Sequence, residues 1–345
     1  MKNIIYSRAP VRICDIGGWT DTWFYPKGAV FNICVDLYSY VRIVPTNKNK
    51  INIISENLEL KAEIKDFRDI RYDGNLDLLK AAIKSMNIKN GMNIYVRTDA
   101  PPSCGTGTSA SLAVALIAAL AHFSNKNLTP EEIASLAHKL EIEELKLESG
   151  IQDQYAAALG GINFMEIDYP YASIFPIKLD DNRICELENQ LILVYLSSRS
   201  SNEMHKAVIK NYKQGDSTTI KSFEIMKKCA FEMRDAIYSK NLDLIGKIMK
   251  RNWNAQKKLH PLMINPIINK IEQLAKKYGA IGFKLNGAGG GGSATILAGI
   301  GFEYGLKRKI VEEGFQILPF KLNFKGVQVW ATEINSKNTF NQFKS

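Results

Sequence analysis

Apolar and polar residues alternate over residues 4–13, and β-branched runs recur at 29–35 and 39–44, so the chain is expected to open as a sheet. Gly17 and Gly18 mark a turn within it. Residues 51–64 read as a hairpin, 77–86 as a helix and 92–98 as a further strand. Pro101 and Pro102 stop that strand, and a loop of small residues leads into 109–122, which is apolar nearly all round. A helix with no polar face is a buried helix. Thr129, Pro130 and Glu132 form a capping box. The helix they open carries an apolar stripe of Ile133, Leu136, Ala137 and Leu140, and is expected to run to Ser149 and Gly150. A short helix over 152–159 then closes at Gly160 and Gly161.

Residues 168–188 hold Pro170, Pro176 and clustered Asp and Asn, and read as a connection before a strand at 190–196. Helical patterns follow at 203–212, 217–236 and 242–259, and Asn265 with Pro266 opens another helix that ends near Tyr278 and Gly279. A strand at 280–285, a glycine loop at 287–292, a strand at 293–298, a helix and a last strand at 327–333 are expected to share one small sheet. The fold class expected is α+β, with domains over 1–180 and 181–345.

At 46% hydrophobic and 23% charged residues the chain is a globular one with a large core. Residues 1–6 lack the apolar run of a secretory leader, and the longest apolar run, 112–121, falls short of a bilayer span. A cytoplasmic protein is expected. The five cysteines are scattered without CxxC spacing, which points to reduced thiols rather than disulfides or zinc. The net charge of +10 comes from dispersed lysines with no RNA-binding aromatic signature, so it reads as a solvated surface rather than a nucleic-acid face. A positive field would still attract phosphorylated ligands.

Three loops carry candidate chemistry. In the first, Arg12, Asp15 and Asp21 surround a Gly17-Gly18 turn that also holds Trp19 and Thr20. Its carboxylates and Arg are able to hydrogen-bond a polyol, and Trp19 to stack on a sugar face. The second runs Pro101-Pro102-Ser103-Cys104-Gly105-Thr106-Gly107-Thr108-Ser109-Ala110 and opens directly onto a helix. Unpaired N–H groups and the helix dipole favour a polyphosphate there, although no Lys follows the glycines as in a Walker A loop. The third, Asn286 to Gly292, has four consecutive glycines between two apolar strands, which points to close approach by a ligand or by another loop.

Together these loops resemble the three signature motifs of the GHMP superfamily of small-molecule kinases, at Arg8 to Asp21, Pro101 to Ala110 and Lys284 to Ser293. The resemblance implies a two-lobed fold, with an N-terminal lobe like domain 2 of ribosomal protein S5 and a ferredoxin-like C-terminal lobe. It implies ATP and Mg²⁺ as cofactors and a small-molecule sugar or sugar phosphate as substrate, with no nucleic-acid or membrane partner. Pro102, Ser103, Gly105, Thr106, Gly107, Thr108, Ser109 and Ala110 would bind ATP. Asp153 would engage the acceptor hydroxyl, and Arg12 would pair with it and face the γ-phosphate. Asp153, Gly18, Trp19, Thr20, Asp21, Gly287, Gly289 and Gly290 would bind the substrate.

The metal ligands implied are Ser109 and Glu141, which lies twelve residues before Asp153. Helical geometry instead puts Glu144 at the centre of the Ile133, Ala137 and Leu140 stripe and Glu141 at its edge, so Glu144 stays open as the alternative. Gly17-Gly18-Trp19-Thr20-Asp21 stands where galactokinases carry Gly-Glu-His-Thr-Asp, which argues against galactose. It looks like the heptose 7-phosphate kinases and fucokinases, both of which phosphorylate an anomeric hydroxyl, and Trp19 resembles the fucokinase form. Ile142 and Ile151 stand where heptose 7-phosphate kinases often carry cations. The substrate expected first is D-glycero-D-manno-heptose 7-phosphate. A fucokinase-like enzyme, another GHMP kinase such as one for mevalonate or homoserine, and a GHMP-fold protein that binds ligand without turnover are the alternatives.

Overall fold

A computed structural model describes residues 3–197 and 202–333. The chain opens with β1 (Asn3–Ile16) and β2 (Ala29–Pro45), followed by β3 (Ile51–Ser55), β4 (Leu60–Ile64), α1 (Asp77–Ser85) and β5 (Met92–Thr98). Then come α2 (Thr108–Phe123), α3 (Pro130–Lys139), α4 (Gln152–Leu159), β6 (Ile162–Asp168) and β7 (Tyr171–Ile177). The second half contains α5 (Asp181–Gln190), β8 (Leu191–Ser197), α6 (Asn202–Lys213), α7 (Ser217–Ala236), α8 (Leu242–Gln256) and α9 (Pro266–Lys277). It ends with β9 (Ala280–Leu285), β10 (Gly292–Ala298), α10 (Glu303–Glu312), β11 (Gln316–Ile317) and β12 (Gln328–Glu333).

The first sheet runs β12-β1-β2-β5-β3-β4, with β6 and β7 branching from β2. The two runs read at its start are one long strand: β2 pairs with β6 through its first half and with β5 through its second. The second sheet runs β11-β8-β10-β9, antiparallel throughout. With helices between β8 and β9 and between β10 and β11, this is the βαββαβ order of a ferredoxin-like lobe. The expected α+β class therefore holds in both halves.

Three stretches differ from the sequence reading. Residues 168–188 are not a bare connection. Pro176 lies in β7, which pairs with β6 alone, and an edge strand tolerates proline; Asp180 caps α5 by accepting a hydrogen bond from the Arg183 N–H (2.8 Å). The last strand, β12, leaves the small sheet and pairs with β1 from Asn3↔Glu333 to Arg8↔Gln328, so the chain's second half returns to the first lobe. Stacking of Tyr6 on Trp330 (5.7 Å) and the Arg8 to Gln328 hydrogen bond (2.9 Å) settle that register. Finally, the helix opened by Thr129 forms both capping-box bonds but ends at Lys139 in a π turn over Leu140–Glu144.

Helix α2 lies in the core of the first lobe, packed on the sheet and on α1, α3 and α4, and Leu116, Ile117 and Leu120 are fully buried. Each such side chain contributes roughly 1.5–3 kcal/mol. Ser111 near its N-terminus donates to the Ala9 carbonyl (2.8 Å), which pins that end of the helix to β1. A second core packs α7 and α8 between β1–β2 and the small sheet, joining Ile13, Ile16 and Phe31 to Met233, Ile245 and Leu297. The two lobes therefore meet along β1.

Candidate active site

Where the lobes meet, a cleft of about 310 Å³ is lined by Arg12, Asp15, Trp19, Asp21 and Glu141, and also by the loop before α2 and by Asp153. The loop is held in shape by its neighbours. Ser103, Gly105 and Gly107 have positive φ, the Thr106 carbonyl accepts from the Arg12 N–H (3.0 Å) and the Cys104 carbonyl from the Ser293 hydroxyl (2.8 Å). Helix α2 then begins on Gly107 with no side chain capping it, so its first N–H groups are open to a ligand.

Asp153 stands in the first turn of α4. Arg12 Nε and Nη2 donate to its two oxygens (2.7 and 3.1 Å), and Arg12 Nη1 donates to the Gly105 carbonyl (2.6 Å). One buried guanidinium thus ties the loop to the carboxylate. Burial works against that charge, but Asp153 and Asp15 outweigh it, and the guanidinium is held protonated more firmly than usual. Gly107 touches Asp153 from the other side: at φ 76°, an added Cβ would lie 3.0 Å from the Asp153 Cγ. The helix N-terminus and the carboxylate therefore face one cavity.

Glu141 is buried, accepting from Ser149 Oγ and from Gln154 Nε2 (2.7 Å). Burial first, and the Asp153 charge after it, push its carboxyl up to about 7, against the Ser149 and Gln154 hydrogen bonds. The π turn explains why a uniform 100° per residue misplaced it. The Leu145 N–H bonds back to the Leu140 carbonyl, five residues away, so over this under-wound turn the 100° step no longer holds and Glu144 drops off the stripe. Glu144 points outward, where it accepts from the Tyr72 hydroxyl (2.8 Å) and pairs with Lys84, and it does not line the cleft. Ser109 and Glu141 line the same cleft. No group of three His, Cys, Asp or Glu forms a metal cage among the described residues. A hydroxyl and one carboxylate suit Mg²⁺, which keeps waters and takes substrate phosphates as its other ligands.

Asp21 is buried and accepts from the Gln152 N–H (3.1 Å). Burial, followed by the Asp153 charge, pushes its carboxyl up to about 6. Trp19 donates to the Ala288 carbonyl (3.2 Å) and meets His205 edge-on at 4.8 Å. Of the predicted residues, Arg12, Trp19, Asp21, Ser103, Gly105, Gly107, Thr108, Ser109, Ala110, Glu141, Asp153 and Gly287 line the cleft.

The others serve its walls and do not line it. Thr20 is fully buried and spends its hydroxyl on Gly17 and Ala29. Gly18 backs onto Asp15, Thr106 is buried beneath the loop, and Pro102 is exposed on the loop's outer side. Gly289 and Gly290 lie against Met263 and the Leu262 carbonyl, while Gly292 lies against the Cys104 carbonyl. The glycine run therefore serves close packing between loops more than contact with a ligand. Sequence reasoning did not single out Gln152, Ser149, Glu148 or His205, which also line the cleft. His205 sits in a helix with no motif around it, and Glu148 and Ser149 were read as part of a helix rather than a loop.

Models of known families match two stretches: the GHMP kinases N terminal domain over residues 76–161 and the GHMP kinases C terminal domain over 233–299. The D-glycero-alpha-D-manno-heptose 7-phosphate kinase of Campylobacter jejuni is 28% identical over 336 residues, covering 94% of this chain and 98% of that protein. The bifunctional fucokinase/GDP-fucose pyrophosphorylase of Arabidopsis thaliana is 29% identical over 84% of this chain, which spans 29% of that longer protein. Among solved structures, a D-glycero-D-manno-heptose 1-phosphate kinase from Bacteriodes thetaiotaomicron shares the fold at a TM-score of 0.80. It is 24% identical, over 96% of this chain and all of that one.

Proposed function

The chain belongs to the GHMP kinase family, and from that membership and the cleft we propose an ATP-dependent kinase that phosphorylates the anomeric hydroxyl of a sugar. D-glycero-D-manno-heptose 7-phosphate is the first substrate to test and L-fucose the second, in line with the heptose 7-phosphate kinase and fucokinase relatives. The observation that carries the reading is the contact between the loop at Gly107 and Asp153, whose carboxylate Arg12 grips at two points.

In this assignment the open N–H groups of α2 and the loop from Ser103 to Ala110 hold the triphosphate. Arg12 faces the γ-phosphate and grips Asp153, so that Asp153 orients the acceptor hydroxyl and takes its proton as that oxygen bonds the γ-phosphorus and the bond to the β-phosphate oxygen breaks, releasing ADP. Trp19 and Asp21 hold the sugar. Ser109 and Glu141 are the residues for Mg²⁺, which when bound neutralises charge on the phosphates. A kinase that consumes ATP works where ATP is made available, which is the reason to place it in the cytoplasm.

The test is an ADP-release screen over sugars and sugar phosphates, with phosphorus NMR to locate the new ester. A signal coupled to the anomeric proton is expected. Asp153→Asn should lose turnover at least a thousandfold while still binding ATP, and turnover at the wild-type rate would refute the assigned mechanism. A protein that binds ATP yet phosphorylates no sugar, mevalonate or homoserine would be a binding protein on this fold.

A further inference from the structure

The charges behind Arg12 do not end at Asp153. Arg12 and Asp15 are three residues apart on β1, and in a regular strand such residues point to opposite faces. The pairing with β2 breaks that rule. Ile13 faces Ile33 while Ile16 faces Phe31, so β1 carries one extra residue, and Cys14 within this bulge takes φ 54°. The bulge turns Asp15 to the side of Arg12, with 3.7 Å between its Oδ1 and Arg12 Nη1. A bulge re-aims a side chain at a cost in pairing, and here the side chain it re-aims is an acid that is 1% exposed.

Asp15 also faces the second lobe. Both of its oxygens accept from the Gly287 N–H (3.1 Å each), and Lys284 Nζ, equally buried, lies 3.5 Å from Oδ1. The neighbouring Cys14 N–H donates to Asn286 Oδ1 (3.0 Å), which fixes the same corner. Gly18 leaves space for the carboxylate, since a Cβ there would lie 2.7 Å from Asp15 Oδ2. A series of alternating charges results, Lys284, Asp15, Arg12 and Asp153, which crosses from the small sheet to the cleft.

We propose that Asp15 is a positioning residue: it stands between the Lys284 and Arg12 cations, anchors the loop at Gly287, and holds the guanidinium where its fork meets Asp153. Without this acid the guanidinium loses the carboxylate behind it, and the Arg12 head is free to turn toward the cleft, which is the side left open because Asp153 is 25% exposed. The effect on turnover rests on the kinase reading; the geometry does not.

A purely structural role predicts something different, namely that Asp15 does no more than neutralise Lys284. The full chain is compared with Asp15→Asn and with the double variant Asp15→Asn/Lys284→Met, in which both buried charges are gone. Melting temperature, kcat and KM for ATP are measured. Exchange of the Arg12 Nε–H proton is followed by ¹H–¹⁵N NMR, with Arg12→Lys identifying the signal. The proposal expects the double variant to melt near wild type and to keep KM for ATP within twofold. Its kcat should stay at least tenfold low, and its Nε–H should exchange at least tenfold faster. A double variant with wild-type kcat and a wild-type exchange rate overturns the proposal. Should the single variant fail to fold, the double variant decides alone. Should the wild type phosphorylate no acceptor, the kinase reading fails, and the exchange rate still decides for or against Asp15.

Discussion

Asp21 offers a prediction whose size follows from its surroundings. The side chain is buried, and burial together with the Asp153 charge raises its carboxyl from 3.8 to about 6. Between those values the folded protein holds a proton that the unfolded chain has released. Stability therefore falls as pH rises across this window and is flat above it. A gap of roughly two units at 1.36 kcal/mol each puts the cost at neutral pH on the order of 3 kcal/mol. Asp21→Asn removes the ionisation and keeps an oxygen for the Gln152 N–H; no bulkier residue fits, because Gly150 already leaves space for the Asp21 carboxylate. At roughly 2.1 cal/mol/K per residue over 345 residues, the gain corresponds to about 4 °C. Thermal unfolding without nucleotide, at pH 4, 5, 6 and 7.5, checks it. The Asn variant should match wild type at pH 4 and melt about 4 °C higher at pH 7.5. Its sugar KM should rise at least tenfold, because an acceptor for sugar hydroxyls has gone, while KM for ATP stays. A melting difference that does not change with pH, or an Asn variant less stable at pH 7.5, would refute the reasoning.

Two further outcomes follow from the same cleft. Gly107→Ala forces a Cβ into left-handed backbone, at about 1–2 kcal/mol, and brings it 3.0 Å from the Asp153 Cγ. Its kcat should fall at least tenfold with a Tm change of only a few degrees, and full activity would separate the loop from Asp153. Activity at low Mg²⁺ should rise with pH through about 7, as Glu141 gives up the proton that burial favours; Glu141→Gln should flatten that profile and weaken Mg²⁺ dependence at least tenfold, read from initial rates in a Mg²⁺ titration.

The local signals that carried the sequence reading are those with short-range causes. The capping box at Thr129 and Glu132 forms both of its bonds, and the apolar helix is buried without a break from Ala113 to Ala121. Signals of longer range failed for physical reasons. A helical wheel assumes constant winding, and the π turn after Lys139 reversed the order of Glu141 and Glu144. Prolines and acids at 168–188 read as loop because an edge strand and a helix cap use the same residues. Nothing local tells β12 that its partner is β1, over 300 residues away. The Arg12 to Asp153 pair spans 141 residues and came from family resemblance, not from spacing. Asp15 was visible as an acid beside a Gly-Gly turn, but the bulge that aims it was not.

The position of the site on β1 follows from how the lobes are held together. Arg12 takes the Thr106 carbonyl through its backbone and the Gly105 carbonyl and Asp153 through its side chain. Asp15 takes Gly287, and the Gly17 N–H donates to Asn252 in α8 (2.9 Å). One strand thus sets the distances among all three loops, and a shift of β1 would move them together. The charge pattern argues in the same direction. Asp15, Asp21, Glu141, Glu148 and Asp153 line a cleft whose only Lys or Arg, among the described lining residues, is Arg12. A polyphosphate would meet strong repulsion there if all five acids were ionised. Burial keeps Glu141 and Asp21 partly protonated near neutral and mildly acidic pH, and Lys284 and Arg12 bracket Asp15. The remaining excess of negative charge is what a cation arriving with the nucleotide would offset, so on the proposed assignment metal and ATP should bind with positive cooperativity, releasing a proton as Glu141 ionises.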